Sequence, residues 1–484
     1  MTDYTAVIEQ LKNAKVLCFG DIMLDTFAYG EVSRISPEAP VPVLKVSDKR
    51  SMLGGVGNVA RNLCELGIHS TLLSIVGKDE AGDSIKGLAA AMGAKPHLTP
   101  VKGRPTTLKT RFIATNQQVL RVDEETAEIA AAPDMEKVTA KFEKLVQQSD
   151  VVILSDYGKG IFTAKNVRGF IKKAQKAGCR VIVDPKMTDY GAYQGADLIT
   201  PNRKELEAAT GGQPLKDQAA VQQAAKALIK AHDIKAILVT LSAEGMMLVR
   251  AGKPSLHIPA KAREVYDVSG AGDTVVALMA AAWAVGLDDQ TAMDLANAAA
   301  SVVVGKLGTA TTTQTELQAA LLDLNQRSGR RKIMELDEGL EKIAAWRKNG
   351  NKIGFTNGCF DLIHPGHVTL LAEARATCDK LILGLNSDAS IKRIKGPKRP
   401  IQSEDSRALV LASFENVDMV ILFGEDTPID LIKTLQPDVL VKGSDYKVEE
   451  VVGHDVVAKY GGKVHLVQLV DGHSTTGITH RMAS

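Results

Sequence analysis

The stretch Asp267-Val268-Ser269-Gly270-Ala271-Gly272-Asp273 places a turn of small residues directly before a carboxylate. Backbone N–H groups can converge on one anion where side chains are this small, and the apolar run that starts at Thr274 can begin a helix whose N-terminus adds positive potential. A carboxylate at this place can accept a proton from a substrate hydroxyl while the N–H groups hold a phosphoryl group. A loop that only joins a strand to a helix has a similar composition, so other features must decide.

Composition narrows the classes of protein to consider. At ~150 residues per domain, 484 residues suggest two to four domains, and 45% apolar residues suffice for packed cores. Lysine and arginine number 59 against 57 acidic residues, so charge gives no general reason to expect a nucleic acid or a membrane as partner. No apolar run reaches the ~18 residues that a membrane span needs.

The five cysteines are scattered and form no CxxC pair. This distribution argues against a disulfide framework and against a zinc site. A reducing, cytoplasmic location fits it best.

Three apolar runs of strand length end in a carboxylate, at Asp21, Asp156 and Asp184, and helical stretches follow. Repeated strand and helix units predict a doubly wound parallel sheet, in which ligands bind beyond the carboxyl ends of the strands. We therefore expect these residues, together with Lys159 and Lys186, to share one edge of the sheet. An aspartate that caps a turn is the alternative at each strand end.

Two segments are expected to form a flap outside the main sheet. Three prolines alternate with apolar residues between positions 31 and 50, as in edge strands, and residues 106–123 read as two polar-faced strands. Lys109, Arg111 and Arg121 in the second segment either solvate an exposed face or reach a phosphate of the substrate.

Further turns add candidate ligand contacts. The run Gly54-Gly55-Val56-Gly57-Asn58 opens a helix, where its glycines allow either close approach of a ligand or tight packing. Asn202 and Glu205 lie three residues apart at another helix start, which suits either Mg²⁺ with its waters or a helix-capping pair.

From Val16 to about Leu322 the chain resembles the ribokinase-like carbohydrate kinases. The resemblance rests on the order of five features: a start like that of a sugar-binding strand, GGxGN, NxxE, the turn Thr240-Leu241-Ser242-Ala243-Glu244-Gly245, and DVSGAGD. The resemblance implies a sheet flanked by helices and a β lid that often forms a dimer contact. It implies Asp273 as the base with Gly270, Ala271 and Gly272 as the anion hole, and Asn202 with Glu205 near the magnesium. Ser242 departs from the glycine common in relatives.

The remaining positions that the resemblance carries over fall into two groups. The sugar would be bound by Asp21, Gly54, Gly55, Asn58, Asp156, Lys159 and Lys186, and ATP by Asn202, Arg203, Lys204, Glu205, Ser242 and Gly245.

A second motif lies near the start of the last third of the chain. The strand-like run from Lys352 leads into Asn357-Gly358-Cys359-Phe360-Asp361, and His364-Pro365-Gly366-His367 begins the next helix. At a helix N-terminus the two histidines could converge on a triphosphate and stabilise charge at its α-phosphate. A zinc pair is the competing interpretation, but no third ligand is evident nearby.

This motif strongly resembles the cytidylyltransferase-like nucleotidyltransferases, small Rossmann-type domains. The resemblance implies His364 and His367 as catalytic residues. It implies nucleotide contacts from Asn357, Gly358, Phe360, Asp361, Lys395, Arg399, Lys442, Ser474, Thr475 and Thr476.

The order of the two units is similar to that of the bacterial bifunctional heptose kinase/adenylyltransferases. We expect a kinase domain at 1–325, a linker and connecting helix at 326–350 and an adenylyltransferase domain at 351–484. The resemblance implies ATP and heptose phosphates as substrates, Mg²⁺ as cofactor, a homodimer through the lid, and no zinc, flavin or nicotinamide. The alternatives are the same two chemistries on another sugar or polyol phosphate, or a nucleotide- or sugar-phosphate sensor without turnover.

Overall fold

The computed structural model describes residues 4–114, 117–260, 265–306, 308–330, 332–444 and 446–468, with the backbone alone at 323–330. The chain divides into two compact units, Thr2–Leu321 and Leu322–Ser484. Strand Ile333–Met334 and helix Leu336–Lys348, which fall in the predicted connecting stretch 326–350, pack within the second unit.

A nine-stranded sheet forms the centre of the first unit. Its strands are β1 (Lys15–Gly20), β4 (His69–Gly77), β5 (Lys95–Val101), β8 (Val151–Ser155), β9 (Arg180–Asp184), β10 (Leu198–Ile199), β11 (Ala236–Thr240), β12 (Met246–Arg250) and β13 (Leu256–Ile258). The spatial order is β13-β12-β11-β10-β9-β8-β1-β4-β5. All neighbours are parallel up to β11, and β12 and β13 add an antiparallel edge.

A separate four-stranded sheet, here called the lid, has the order β3-β2-β6-β7. It consists of β2 (Ile22–Ile35), β3 (Pro42–Gly55), β6 (Thr107–Ala114) and β7 (Gln117–Glu124). The two predicted flap segments thus form one sheet, because β2 pairs with both β3 and β6. Since β2 follows β1 after Asp21 alone, the lid is joined directly to the edge where ligands are expected.

Ten helices are described in or at the end of the first unit. They are α1 (Tyr4–Leu11), α2 (Val56–Glu65), α3 (Glu80–Ala91), α4 (Ala132–Leu145), α5 (Ala164–Lys176), α6 (Arg203–Ala209), α7 (Gln218–His232), α8 (Ala271–Ala284), α9 (Asp289–Val303) and α10 (Gln314–Arg330). Helix α8 is buried continuously from Asp273 to Trp283 and packs against α2 and α9. A helix that is apolar on all sides belongs in the interior, so its N-terminus is held in a fixed place.

Phe19 in the central strand β1 anchors the neighbouring helices. Its ring centroid lies 5.6 Å from that of Phe142, 5.0 Å from Phe162 and 4.9 Å from Phe170. Each such pair contributes about 0.5–1.5 kcal/mol beyond the burial of its area. Because Phe19 lies two residues before Asp21, this packing holds the end of β1, and with it the position of Asp21.

The second unit is built on a parallel sheet with the order β14-β17-β16-β15-β18-β19. Its strands are β14 (Ile333–Met334), β15 (Ile353–Gly358), β16 (Lys380–Asn386), β17 (Met419–Phe423), β18 (Val439–Gly443) and β19 (Lys463–Val467). Its helices are α11 (Leu336–Lys348), α12 (Pro365–Ala376), α13 (Asp388–Lys395), α14 (Glu404–Ala412), α15 (Ile429–Leu435) and α16 (His454–Lys459). Apolar cores cover both faces of the sheet, as expected for parallel strands.

Gly245→Ala is expected to destabilise the first unit by about 1–3 kcal/mol. Gly245 has a φ of 93°, and a Cβ there would overlap the carbonyl oxygen of Ile258. Gly87→Ala is the matched control, because Gly87 lies inside α3 with open space around it and alanine favours a helix interior. Thermal unfolding of both variants measures the difference; an unchanged midpoint for Gly245→Ala would contradict the packing described.

Candidate functional site

Asp273 lies in the first turn of α8 and is only 5% exposed. Its Oδ1 accepts a 2.6 Å hydrogen bond from the Tyr157 hydroxyl, and its Oδ2 accepts one of 2.7 Å from Asn58 Nδ2. Burial raises the pKa of Asp273 to about 6, although both hydrogen bonds act to lower it. Such a carboxyl is mostly ionised at pH 7 and still basic enough to accept a proton.

Helix α8 begins at Ala271, three residues before the start expected at Thr274. Gly270 is its N-cap with a φ of 80°, and this left-handed turn directs the chain into the helix early. As a result Asp273 belongs to the first helical turn, where the macrodipole stabilises its negative charge.

The three small residues before Asp273 have different surroundings. A Cβ at Gly270 would lie 2.7 Å from Asn58 Nδ2, so this glycine allows close packing of α2. The Ala271 N–H donates to the Val268 carbonyl at 3.3 Å. Around Gly272 there is open space, and a first-turn N–H has no carbonyl partner within its helix. The N–H groups of Gly272 and Asp273 are therefore best placed to receive an anion.

A buried chain of polar side chains connects α2 to α8. The Thr274 hydroxyl donates to Asn62 Oδ1 at 2.9 Å, and Asn62 Nδ2 donates to the Asn58 carbonyl at 2.9 Å. These bonds orient Asn58 toward Asp273. Asn58 Oδ1 is buried and accepts no hydrogen bond from the described residues, so it can accept one from a ligand.

Asp21 and Asp156 hold the loop that follows β8. Asp21 Oδ2 accepts hydrogen bonds from the backbone N–H groups of Tyr157 at 2.9 Å and Lys159 at 3.0 Å. Asp156 accepts one from the Gly158 N–H at 2.9 Å. Because this loop carries Tyr157, the two aspartates also position the hydroxyl that reaches Asp273.

One oxygen of Asp21 remains available. Asp21 Oδ1 is buried and has no hydrogen-bond partner among the described residues. Burial raises the pKa of Asp21, opposed by the hydrogen bonds from Lys159 and Tyr157. An unpaired buried oxygen costs free energy unless a ligand satisfies it, so this atom is a candidate contact for a hydroxyl of the substrate.

Tyr157 and Tyr193 were missed as site residues. The Tyr193 hydroxyl donates to Asp156 Oδ2 at 2.8 Å and accepts from the backbone N–H groups of Lys186 and Met187 at 3.0 and 2.9 Å. Tyr157 directly follows Asp156 in the sequence. Its position next to a predicted site residue was the signal that could have identified it. Tyr193 ends a single 3-10 turn, Tyr190–Tyr193, that carries no motif, so only the fold shows its role.

The other sugar-binding candidates are placed less directly. The Lys159 ammonium pairs with Glu125 at 2.6 Å, and Lys186 is exposed. A Cβ at Gly55, whose φ is 59°, would overlap the Asp21 carbonyl oxygen, and one at Gly54 would overlap the Asp25 carboxylate. The geometry of Gly54 and Gly55 therefore corresponds to the tight-packing alternative.

Asn202 and Glu205 form a capping box at the start of α6. Asn202 Oδ1 accepts from the Glu205 N–H at 3.0 Å, and Glu205 Oε2 accepts from the Asn202 N–H at 3.0 Å. This arrangement is the helix-capping pair considered above, and a magnesium role for these residues stays a prediction. Within the described part of the chain, no cluster of three or more His, Cys, Asp or Glu could hold a metal ion.

The remaining ATP-binding candidates lie close to the same edge. An isolated bridge joins Asn202 to Thr240 at the end of β11. Arg203 pairs with Glu244 at 2.7 Å, which ties α6 to the turn after β11, and Lys204 is exposed. Ser242 has a φ of 54°. Glycine adopts that conformation without strain, which explains the glycine expected at this turn.

The second unit contains a cavity of about 550 Å³ at the carboxyl end of β15. It is lined by Asn357, Gly358, Cys359, Phe360, Asp361, His367, Leu370, Lys395 and Arg399. Seven of these are among the predicted nucleotide contacts and catalytic histidines. Ser474, Thr475 and Thr476 lie outside the described residues.

His364 and His367 stack at the start of α12. Their ring centroids are 3.8 Å apart, and the Phe360 ring lies 4.9 Å from that of His367. His364 is the N-cap residue, but its side chain makes no capping bond to the helix. Burial, followed by the charge effects of His364 and Lys395, lowers the pKa of His367 to about 4. At pH 7 this ring is a neutral hydrogen-bonding group.

Asp361 fastens the basic loop beside the cavity. It accepts hydrogen bonds from Arg399 Nη1 at 2.6 Å, from the Ile401 N–H at 2.7 Å and from the Gln402 N–H at 3.1 Å. Burial acts to raise the pKa of Asp361, but these bonds outweigh it and the pKa is lowered. Asp361 therefore positions Arg399, and Lys442 similarly donates to the Asn357 carbonyl at 2.9 Å.

Arg407 is a buried positioning residue that the sequence did not reveal. Its guanidinium donates to the carbonyls of Cys359 at 2.6 Å and Asn386 at 3.0 Å, and to Asp388 Oδ1 at 2.6 Å. These contacts join the cavity loop, the end of β16 and the start of α13. An arginine in an amphipathic helix gives no sequence signal for such a role.

Comparison with known proteins identifies both units. Residues 13–316 match the pfkB family carbohydrate kinases, and residues 355–480 match the cytidylyltransferase-like family. Bifunctional protein HldE of Paramagnetospirillum magneticum is 50% identical over 100% of this chain and 99% of its own. That of Caulobacter vibrioides is 50% identical over 97% of both chains. The chain belongs to the HldE family of bifunctional proteins.

Solved structures support the fold of the first unit. Arabidopsis thaliana ribokinase, complexed with ribose and ATP, matches 64% of this chain and 98% of its own, with a TM-score of 0.52 and 22% identity. Escherichia coli phosphofructokinase-2 matches 64% of this chain and 99% of its own, with a TM-score of 0.54 and 22% identity. The predicted fold class, a ribokinase-like kinase followed by a nucleotidyltransferase domain, is confirmed.

The family membership confirms that the chain is a bifunctional enzyme with kinase and nucleotidyltransferase units. In the part of the chain that the structure describes, no helix is long and apolar enough to cross a membrane.

Tyr157→Phe is expected to move the acid limb of the kinase pH profile upward by about one unit. In the native enzyme the hydrogen bond from the Tyr157 hydroxyl lowers the pKa of Asp273. Removing this bond raises that pKa, so the base becomes protonated at a higher pH. The measurement is kcat/KM between pH 5 and 8. Tyr460→Phe, on the surface of the second unit, is the control, and an unshifted limb in Tyr157→Phe would show that Asp273 does not set the profile.

Proposed function

We propose that the first unit transfers a phosphoryl group from ATP to the anomeric hydroxyl of D-glycero-β-D-manno-heptose 7-phosphate. The observation that carries the phosphoryl transfer is the buried Asp273 carboxylate in the first turn of α8, and the choice of sugar rests on the resemblance to the bacterial heptose kinase/adenylyltransferases. Asp273 takes the proton of the C1 hydroxyl while the new O–P bond forms, the bond between the γ-phosphorus and its bridging oxygen breaks, and ADP leaves. The product is the 1,7-bisphosphate.

The chain's own residues position the sugar and the transferred group. Asp21 Oδ1 and Asn58 Oδ1 lack protein partners among the described residues and would accept hydrogen bonds from sugar hydroxyls. The N–H groups at the start of α8 would stabilise the charge that develops on the phosphoryl oxygens. Their fixed position means that they need not reorganise during the reaction.

Mg²⁺ would enter with the nucleotide phosphates and retain several waters, as it commonly does. Asn202 and Glu205 at the start of α6 offer oxygen donors of the kind that Mg²⁺ accepts. Burial raises the pKa of Asp184, and the charges of Asp273 and Glu205 raise it further. Asn202 and Glu205 would lie near the hydrated cation, with Asp184 close to Glu205, and the cation would neutralise charge on the phosphates.

The second unit would join heptose 1-phosphate to ATP. An oxygen of the sugar phosphate attacks the α-phosphorus, the bond to the β-phosphate breaks, and pyrophosphate and ADP-heptose are released. His367 and Lys395 line the cavity in which the triphosphate would bind, and His364 stacks on His367. A phosphatase must remove the 7-phosphate between the two steps.

The proposed compartment is the cytoplasm, where ATP is available. All five cysteines are free thiols, which agrees with a reducing environment.

Crossed substitutions separate the two activities. Asp273→Asn is expected to lower bisphosphate formation by at least about a hundredfold and to leave adenylylation unchanged, since it removes only the first base. His364→Ala should have the reverse effect. Both reactions are measured on each purified variant, with release of ADP and of pyrophosphate as readouts.

Loss of both activities in one folded variant would contradict independent sites. Turnover of a hexose or pentose phosphate in preference to the heptose would contradict the assigned sugar.

We also propose that two copies associate through the lid. Lid strands expose apolar side chains at Val32, Val46, Val119, Leu120 and Val122, each more than a third exposed. Leu120 and Val122 lie two residues apart in β7 and therefore share a face. Exposed apolar side chains that share a face in this way are typical of a protein interface.

Leu120→Asp is expected to convert a dimer into a monomer, because the interface would have to bury an unpaired carboxylate. Sedimentation velocity measures the change. Val410→Asp, at an exposed apolar position of α14 in the second unit, is the control. A wild-type monomer, or a Leu120→Asp variant that remains dimeric, would contradict the lid interface.

A further inference from the structure

One face of the lid, here called the inner face, carries a row of charged side chains that have no role in the reactions proposed above. Asp25 in β2, Lys109 in β6 and Asp123 in β7 are register partners across three neighbouring strands. Cross-strand partners point to the same side of a sheet. Two residues further along, Phe27, Arg111 and Arg121 form the next row on that face.

This face is turned toward the body of the first unit. Asp25 and Phe27 are buried, and the Phe27 ring lies against Gly308. Arg111 Nη1 donates to Asp25 Oδ1 at 2.5 Å, and its guanidinium lies 5.1 Å from the centre of the Phe27 ring. Asp25 and Arg111 are therefore largely shielded from solvent, whereas Arg121 on the outer strand β7 remains half exposed.

Two lysines from different parts of the unit converge on one carboxylate. Lys109 Nζ of the lid lies 2.7 Å from Glu125 Oε2, and Lys159 Nζ of the loop after β8 lies 2.6 Å from Glu125 Oε1. Lys109 is also 2.9 Å from Asp123. Both ammonium groups have low exposure, with side chains 15% and 19% exposed.

Lys159 is joined to the sugar site through its own backbone. Its N–H donates to Asp21 Oδ2 at 3.0 Å, and its carbonyl accepts a hydrogen bond from Arg104. The loop is thus fixed from both sides of this residue. Because the backbone of Lys159 contacts Asp21, an anion bound by the Lys159 ammonium would lie within one side-chain length of the sugar site.

The local charges match a phosphate monoester. The cations Lys109, Arg111, Arg121 and Lys159 face the carboxylates Asp25, Asp123 and Glu125, which leaves one positive charge in excess. If Glu125 withdraws, the excess becomes two, equal to the charge of a phosphate dianion. Glu125 follows β7 directly and is the most exposed of the three carboxylates, so it can withdraw at low cost.

We propose that Lys109 and Lys159 form the subsite for the phosphate that the sugar already carries, and that Glu125 occupies this subsite in the free enzyme. The inference rests on the proposed function and deepens it, because it names the groups that select a phosphorylated sugar. Binding replaces two ion pairs to Glu125 by two to the phosphate, and it joins the lid residue Lys109 to the body residue Lys159 through the substrate. The lid then closes over a sugar that has a phosphate at the far end from C1.

The experiment compares Lys109→Met, Lys159→Met and Glu125→Gln in the full chain. Each variant is assayed with heptose 7-phosphate and with heptose that lacks the 7-phosphate. The lysine variants should raise KM for the phosphorylated sugar by about tenfold or more, as expected for a lost charge-assisted hydrogen bond, and leave KM for the other sugar unchanged. Glu125→Gln should act in the opposite direction and lower KM for the phosphorylated sugar.

Calorimetry with inorganic phosphate gives a readout that does not depend on turnover. The lysine variants should lose phosphate affinity relative to the wild type, and Glu125→Gln should gain it. Lys137→Met is the matched control, since Lys137 pairs with Asp134 at the surface of α4 with a side chain 64% exposed. Adenylylation by the second unit, measured on the same samples, checks that each variant is intact.

Several outcomes would overturn the inference. A structural tie between lid and body would make Glu125→Gln act in the same direction as the lysine variants and would affect both sugars equally. Unchanged phosphate binding in all three variants would show that the anion binds elsewhere. A wild-type enzyme that phosphorylates heptose but no sugar phosphate would contradict the proposed substrate, and the calorimetric comparison would still decide the lysine subsite.

Discussion

The burial of Asp273 is the constraint on which the kinase site depends. A carboxylate removed from water is costly unless it is hydrogen-bonded, and two donors from separate elements meet this requirement. Tyr157 comes from the loop after β8, and Asn58 comes from α2. Each donor is itself held by hydrogen bonds. Asp21 and Asp156 bind the loop that carries Tyr157, and Asn62, bound by Thr274, holds Asn58. The order of the site thus follows from the cost of one buried charge.

In the second unit, too, a buried charge is compensated by hydrogen bonds and an ion pair, but here the buried charge is a cation. Arg407 is fully buried and is neutralised by Asp388, and its remaining donors bind carbonyls of the cavity loops. Asp361 similarly fixes Arg399. In both units a buried charge with its partners holds the loops at the carboxyl ends of parallel strands. The groups that remain without protein partners, such as Asp21 Oδ1, can then meet substrate in a fixed geometry.

Prediction from sequence succeeded where a motif and its structural context coincide. The strand ends at Asp21, Asp156 and Asp184, the flap segments and the connecting helix within residues 326–350 were placed close to their observed positions. The sequence leaves two interpretations open where the same residues can serve two structural or functional roles. Asn202 with Glu205 forms a capping box, and Gly54 and Gly55 allow backbone packing. Local sequence does not distinguish these uses, because each needs the same atoms at the same spacing.

By itself, the sequence determined the two-unit organisation, the parallel sheets and the residues that carry charge at strand ends, because apolar periodicity and turn residues act over short distances. Only the tertiary structure decided which charges meet. Tyr157 and Asp273 are 116 residues apart, and Asn58 and Asp273 are 215 apart. Neither the raised pKa of Asp273 nor the pairing of Lys159 with Glu125 follows from local pattern. Burial and electrostatic interaction depend on distances in space, which the packing of α2, α8 and the lid around the sheet sets.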